Sequence, residues 1–389
     1  MKNNMPVAEL RETPVDAWRG VQCRLLFVVG QLRLGGLERQ LYYLLANLDH
    51  ARYQPAVVVW NLNTIETYYR SIKALDVPIY GFPPEWSPLS KLRAFRTLAR
   101  QVAPEVIHSY GFHTNFAAYY AARGTGALAI GSQRSDWSWA KAQGGIIRGA
   151  LNARWPSSHI SNNTTSADSA HRNSGPFTPR QVFVVRNGLD LNLFRCWNDT
   201  PGTRNYVAAV GGLFPVKRWD RLLRVVQKVQ SVGRGEVCFR IAGDGPLRPT
   251  LEKLAGDLGI ARAVEFLGET HDIPAFLRGA KFLVHTSESE GCPNAVMEAM
   301  ACGLPVVAME AGDIPYLVED GRTGFVVRQD DEGALVDRTS QLIKDEALRR
   351  RMGQAAHAKA EREFSLERLV SETLDVYRVA GWKDGQTLT

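Results

Sequence analysis

Ser289-Glu290-Gly291-Cys292-Pro293-Asn294-Ala295-Val296-Met297-Glu298-Ala299-Met300-Ala301-Cys302-Gly303-Leu304-Pro305-Val306-Val307-Ala308 reads as a loop, a short helix and a strand in immediate succession. Pro293 has no N–H to give to a preceding turn, so the helix starts there rather than running through it. Gly303-Leu304-Pro305 stops the helix, and the chain runs straight on into an apolar strand. Continuous helix would bring Glu290 and Glu298 near one face after about two turns, but Pro293 leaves Glu290 in the approach loop and only Glu298 inside the helix. The N–H groups of the first turn, from Asn294 through Ala295 to Val296, are expected to face whatever lies in front of them, and such a terminus favours a phosphate. A carboxylate deeper in the helix is suited to accept hydrogen bonds from a diol such as ribose. Taken alone, an acid pair at this spacing is more often a solvated helix residue and a partner for the helix dipole.

Outward from this unit the chain repeats the same plan. Short apolar runs rich in β-branched residues alternate with longer amphipathic segments, the pattern of parallel sheets with crossover helices. The expected strands of the first half are Arg24–Val29, Ala56–Trp60, Val106–His108, Ala127–Gly131 and Val182–Val185. Those of the second are Tyr206–Val210, Cys238–Ala242, Val264–Leu267, Phe282–His285, Pro305–Ala308 and Gly324–Val327. Helices are expected over Gln40–Leu48, Leu89–Gln101, Trp219–Val232 and Leu247–Leu258. The 389 residues have room for two domains that each bury a core. The fold class is therefore α/β with two doubly wound, Rossmann-like domains, over 21–197 and 203–363, linked through the polar stretch Asn198–Asn205. Residues 1–20 are expected to be a disordered tail, and 364–389 carries a helical pattern built on Leu366, Leu369, Val370, Leu374, Val376 and Tyr377.

Composition narrows the class. No apolar run approaches the roughly 20 residues that span a bilayer, and the first twenty residues lack the apolar segment of a secretory signal. The five cysteines are odd in number and form no C-x-x-C pair, which suits a reducing compartment, so a cytoplasmic location is expected. Of the +7 formal charge, Met1–Asp190 holds 21 basic and 12 acidic residues and Leu191–Thr389 holds 26 and 28. The positive excess thus lies in the first half. With no nucleic-acid motif, no nucleic-acid partner is expected, and an anionic lipid surface or a pyrophosphate-bearing acceptor fits better. Trp137, Trp139 and Trp155 bracket a basic, partly apolar segment that suits peripheral docking on the inner face of a membrane, and equally a buried acceptor-domain core.

Two further loops stand at strand ends. Gly30-Gln31-Leu32-Arg33-Leu34-Gly35-Gly36-Leu37-Glu38 opens the first helix, and its paired glycines let the backbone approach an anion. It is not G-x-G-x-x-G, so a nicotinamide fingerprint is not supported. Val106-Ile107-His108-Ser109-Tyr110-Gly111-Phe112-His113 places two histidines at the carboxyl end of a strand, where open α/β sheets bind ligands. For His108 the expectation is a packed, hydrogen-bonded ring.

The run from Glu290 resembles the signature of family 4 of the retaining glycosyltransferases, also called group 1: Glu, seven residues, Glu, then Ala-Met-Ala-x-Gly-x-Pro-Val, here Ala299 to Val306. The resemblance implies the GT-B fold: an acceptor-binding N-terminal domain and a nucleotide-sugar-binding C-terminal domain facing a central cleft, with the last helix crossing back to the first domain. It implies that Glu290 contacts the donor sugar, Glu298 the ribose, and the backbone of Asn294, Ala295 and Val296 the diphosphate. Gly35 and Gly36 resemble the family's Gly-Gly-x-Glu loop between donor and acceptor. Lys217 matches the lysine that neutralises donor phosphate; Gly212 stands where an arginine is common, leaving Arg218 as a candidate for that charge. Gly243 and Gly245 resemble the Gly-x-Gly-Pro turn beside the nucleotide, with the base read near His271 to Ile273, and Tyr316 stands where glutamate is common. Family members often carry His-x-His after the fourth strand; here the second place is Tyr110 and the next imidazole is His113, so both are catalytic candidates, with His113 favoured.

The expected enzyme is a retaining, metal-independent glycosyltransferase of the hexosyltransferase type. It would move a sugar from a nucleotide-sugar donor to a glycan or lipid-linked acceptor in bacterial-type cell-surface polysaccharide or glycolipid synthesis. With no Asp-x-Asp motif, no metal and no cofactor are expected, and leaving-group charge falls to Lys217, the glycine N–H groups and the helix after Pro293. The alternatives are a sugar-nucleotide epimerase or hydrolase on the same plan, and a non-catalytic sugar-nucleotide-binding protein.

Overall fold

The structure is a computed structural model that describes residues 25–135, 137–173, 175–195, 205–232, 237–270 and 272–384. The expected tail over 1–20, most of the Asn198–Asn205 linker and His271 lie outside the described residues.

Contacts divide the chain into two units, one of residues up to Gly188 together with Leu366 onward, the other Leu189–Ser365. The first contains β1 (Leu25–Val29), β2 (Pro55–Val59), β3 (Ile79–Gly81), β4 (Val106–Ser109), β5 (Leu128–Gln133), β6 (Ser158–Ser161) and β7 (Gln181–Val184), and the second β8 (Tyr206–Val210), β9 (Cys238–Ala242), β10 (Val264–Gly268), β11 (Ala280–His285), β12 (Val306–Met309) and β13 (Gly324–Val327). Among the described residues the sheets run β3-β2-β1-β4-β5-β6-β7 and β10-β9-β8-β11-β12-β13, all parallel. Both are doubly wound, and the order reverses between β1 and β4 in one and between β8 and β11 in the other. At these switch points neighbouring strand-end loops part and leave a crevice.

Each sheet is covered on both faces, which is why its strands read as continuous apolar runs. In β1, Leu25, Phe27 and Val29 enter one core with Leu41, Leu44 and Tyr377, while Leu26 and Val28 enter the other with Phe95, Ala118 and Ala121. In β8, Tyr206 and Ala208 pack with Met297 and Met300, and Val207 and Ala209 with Leu222 and Val226. The side-chain period of two in a strand produces this division.

Two strands escape the sequence reading. Ile79–Gly81 is three residues long, and Ser158–Ser161 is polar yet wholly buried, so neither offers an apolar run. The boundary also falls earlier than 197, at Gly188: Leu189 and Phe194 are buried in the second unit's core, and Leu189 N–H bonds to Phe364 O at 2.7 Å.

The last helix, Leu366–Val379, belongs to the first unit. The Tyr377 hydroxyl meets His108 Nδ1 at 2.7 Å, and Trp382 Nε1 donates to Glu105 Oε2 at 2.9 Å. His108, also 3.1 Å from Ser132 Oγ, is thus a packed, hydrogen-bonded core residue.

Candidate active site

In the second unit the switch point brings together the loops after β8 and β11. Two backbone features stitch them: Glu288 N–H donates to Val216 O at 3.0 Å, and Thr286 Oγ1 to Lys217 O at 2.9 Å. Lys217, in the turn Pro215–Lys217, then donates from Nζ to Glu290 Oε1 at 2.5 Å. His285, the last residue of β11, meets the same oxygen through Nε2 at 3.0 Å. Burial alone would raise the Glu290 pKa, but the His285 hydrogen bond and the Lys217 charge outweigh it and hold the carboxyl well below the usual range. An ionised carboxylate only accepts, so the proton of this bond sits on His285 Nε2.

Arg218 does not join this group. Its backbone is left-handed (φ 50°), and its guanidinium is tied to Asp220 at 3.2 Å and to Glu288 at 3.1 Å. The charge missing at Gly212 is not replaced on Glu290 by Arg218, because the reversed turn sends its side chain to other acids.

Gly243 and Gly245 have a physical reason that does not involve a ligand. Gly243 sits at φ 143°, and a Cβ there would lie 2.1 Å from Gly211 O; one on Gly245 would lie 2.8 Å from Leu213 N. Only glycine lets the loop after β9 lie this close beneath the loop after β8.

The helix Asn294–Ala301 begins at Pro293, which has no side chain to cap it. Asn294 and Ala295 are part-exposed at its start. Val296 departs from expectation: it is buried and its N–H already bonds to Pro293 O at 3.2 Å, closing the first turn. Glu298 is 2 % exposed, which excludes the solvated-helix reading. The loop after β12 clamps the approach segment: Asp313 N–H donates to Gly291 O at 3.0 Å, and a Cβ on Gly312 (φ 51°) would lie 2.3 Å from Glu290 O. Among the described residues no three His, Cys, Asp or Glu side chains group as a metal site.

In the first unit the loops after β1 and β4 line a cavity of about 750 Å³, with Gly30, Glu38, Asn61, Gly111, His113, Arg134 and Arg148 in its wall. Gly36 starts the helix Gly36–Asn47, and Gly35 precedes it in extended backbone. A Cβ on Gly35 would lie 2.4 Å from Glu38 Oε2, so the glycine makes room for the carboxylate that follows. Glu38 is buried, and that burial pushes its pKa up. Glu66 holds the loop, accepting from Leu32 N–H at 2.6 Å and Arg33 Nε at 3.3 Å.

The two catalytic candidates separate. His113 lies in the turn Phe112–Thr114 at the cavity wall; desolvation of its ring and then the Arg148 charge hold its pKa below the ordinary imidazole value. Tyr110 is 1 % exposed and packed edge-on against Phe27 in the core. The structure thus puts His113, and not Tyr110, where a ligand can reach it. Trp137 is likewise buried, and Trp155 stacks on Tyr119 at 4.4 Å, so neither forms an exposed face.

Sequence reading overlooked His285, Arg134 and Arg148. His285 had a signal, a polar residue ending an apolar strand at a switch point; the two arginines had none, because only folding brings them to the loops after β1 and β4.

A parallel α/β chain with two doubly wound units has the GT-B architecture. Two family models divide the sequence between them, glycosyltransferase family 4 over residues 34–193 and glycosyl transferases group 1 over residues 196–359. The chain belongs to this family of group 1, family 4 glycosyltransferases. It is 32 % identical over 169 residues to the N-acetyl-alpha-D-glucosaminyl L-malate synthase of Bacillus anthracis, covering 42 % of this chain and 44 % of that protein. To the D-inositol 3-phosphate glycosyltransferase of Streptomyces scabiei it is 34 % identical over 223 residues, 52 % of this chain and 49 % of the relative. The chain thus spans less than half the length of these curated relatives. The crystal structure of Anabaena HepE in complex with UDP and glucose superposes with a TM-score of 0.77 at 20 % identity, covering 91 % of this chain and 99 % of HepE, a likeness of fold.

Proposed function

We propose that the protein is a retaining glycosyltransferase that uses a nucleotide-sugar donor and no divalent metal. The observation that carries this is the convergence of Lys217 and His285 on one oxygen of Glu290, at the loop that feeds the helix Asn294–Ala301. The donor would lie over these loops. Its diphosphate would take the Lys217 charge and the N–H groups at Asn294 and Ala295, and Glu290 and Glu298 would serve the sugar and the ribose. In the transfer, the bond from the anomeric carbon to the phosphate oxygen breaks and an acceptor oxygen bonds that carbon on the same face. The acceptor proton passes to the departing phosphate, so no protein base is needed.

The cavity beside His113 would hold the acceptor, a glycan or a lipid-linked sugar in cell-surface polysaccharide or glycolipid synthesis. There the imidazole, kept neutral near pH 7, would orient the reacting sugar or stabilise positive charge developing on it. Ile146 and Ile147, 94 % and 75 % exposed, support a cytoplasmic enzyme that touches the inner face of a membrane.

A thermal-shift panel of nucleotide sugars tests the donor half, since a ligand at 100 times its Kd stabilises by about 2.7 kcal/mol. UDP-sugars come first, because HepE was crystallised with UDP. No shift with uridine, guanosine, adenosine or deoxythymidine sugars would sink the reading, and release of free sugar without acceptor would favour a hydrolase.

A further inference from the structure

Arg134 is the least satisfied cation in the first unit's cavity. Its Nε and Nη1 are buried and have no hydrogen-bond partner among the described residues. Its Cζ sits 4.1 Å from the ring centroid of Tyr110, so the aromatic core supports one face of the guanidinium while Nε and Nη1 stay without an acceptor among the described residues. Arg148, exposed at the same wall, forms no ion pair among the described residues. Glu38 is the only acid among the described lining residues, and its burial favours the neutral form. Arg134 also depresses the His108 pKa, after the larger effect of burial.

A buried guanidinium with unused N–H groups is costly until an acceptor fills them. Water could supply one bond at a time, but the planar fork of arginine is matched by the paired oxygens of a phosphate or carboxylate. Both arginines line the same 750 Å³ space as His113.

We infer that this cavity selects an acceptor carrying an anionic group, a phosphate or carboxylate, which Arg134 and Arg148 hold beside His113. The inference rests on reading the cavity as the acceptor site. Arg134 supplies the supported fork and Arg148 the exposed second cation, so the anion positions the acceptor's reacting hydroxyl rather than taking part in the bond change.

The test is calorimetric titration of the full chain with inorganic phosphate, pyrophosphate and succinate at low ionic strength. Saturating UDP is present, so that anion binding near Lys217 is already occupied. At least one of the three anions should bind, phosphates and succinate distinguishing the two chemistries. Its affinity should fall roughly tenfold or more in Arg148→Gln and in Arg134→Gln, and stay unchanged in Arg328→Gln, an exposed arginine of the second unit. Arg148 is exposed, so its variant keeps the fold even if Arg134→Gln, which loses the stack on Tyr110, is less stable. Equal affinity in Arg148→Gln and the wild type, or no binding of any of the three at about 10 mM, would overturn the inference. UDP binding is read in the same cell. Its absence alongside Arg148-dependent anion binding would count against the transferase reading and leave the anion site standing.

Discussion

Lys217 and Glu290, 73 positions apart, close a 2.5 Å ion pair because their loops leave adjacent strands, β8 and β11, at the point where strand order reverses. Lys217→Met should weaken UDP binding at least tenfold and lower stability by about 1–2 kcal/mol. The second figure is discounted from that of a fully buried pair because the Lys217 side chain is 24 % exposed. Calorimetry with UDP and urea melts measure the two effects, and an unchanged UDP affinity would remove Lys217 from the donor site.

His113→Ala should reduce transfer roughly a hundredfold and leave UDP affinity unchanged, since the residue lies in the first unit. Tyr110→Phe, in the core, should leave kcat within about threefold of wild type. Steady-state kinetics on both variants separate the candidates, and the opposite ranking would return the role to Tyr110.

Acid should destabilise the first unit through buried histidines. Burial holds the His159 pKa down at about 3, and pushes that of His108 in the same direction. Both fold neutral, so the unfolded chain binds protons first. The stability they contribute is intact above about pH 6.5, the unfolded value, and falls with pH below it by up to about 1.4 kcal/mol per pH unit per histidine; for His159 the fall continues to about pH 3. His159→Asn should make denaturant midpoints less steep in pH; identical slopes would refute the assignment.

Two glycines of the second unit should respond oppositely to alanine. Gly243→Ala places a methyl 2.1 Å from Gly211 O at φ 143°, and should cost about 2–4 kcal/mol. Gly256, inside the helix Arg248–Asp257 with nothing within 4 Å of its Cβ position, should gain about 0.5–1 kcal/mol. Thermal melts of the two variants decide both signs.

EDTA should leave the rate of sugar transfer unchanged if, as proposed, Lys217 and the helix start at Asn294 take the leaving-group charge. Loss of activity in EDTA that added Mg²⁺ restores would count against the metal-independent reading.

How far the sequence reaches is clear from particular residues. The runs Leu25–Val29 and Tyr206–Val210 declare parallel strands, because a strand buried on both faces must be apolar throughout. The polar strand Ser158–Ser161 is invisible for the same reason: its hydroxyls and the Nδ1 of His159 find partners only in the folded chain, and no composition rule anticipates that. Glu290 and Lys217 stand out in the sequence because their motifs are local, and the fold pairs them. Arg218 was misplaced because a left-handed turn, not its position in the chain, sets where its side chain goes.

The sequence by itself determined the alternation of strand and helix, the two-unit plan and the helix start at Pro293 behind the Glu290 loop, all written in short-range patterns of polarity and turn residues. Only the tertiary structure decided that His285 joins Lys217 on Glu290, that Tyr110 is core while His113 faces a cavity, and that Arg134 and Arg148 share that cavity. The reason is physical: those relations cross from strand to strand at the switch points, and which side chains meet there is set by sheet order and packing rather than by distance along the chain.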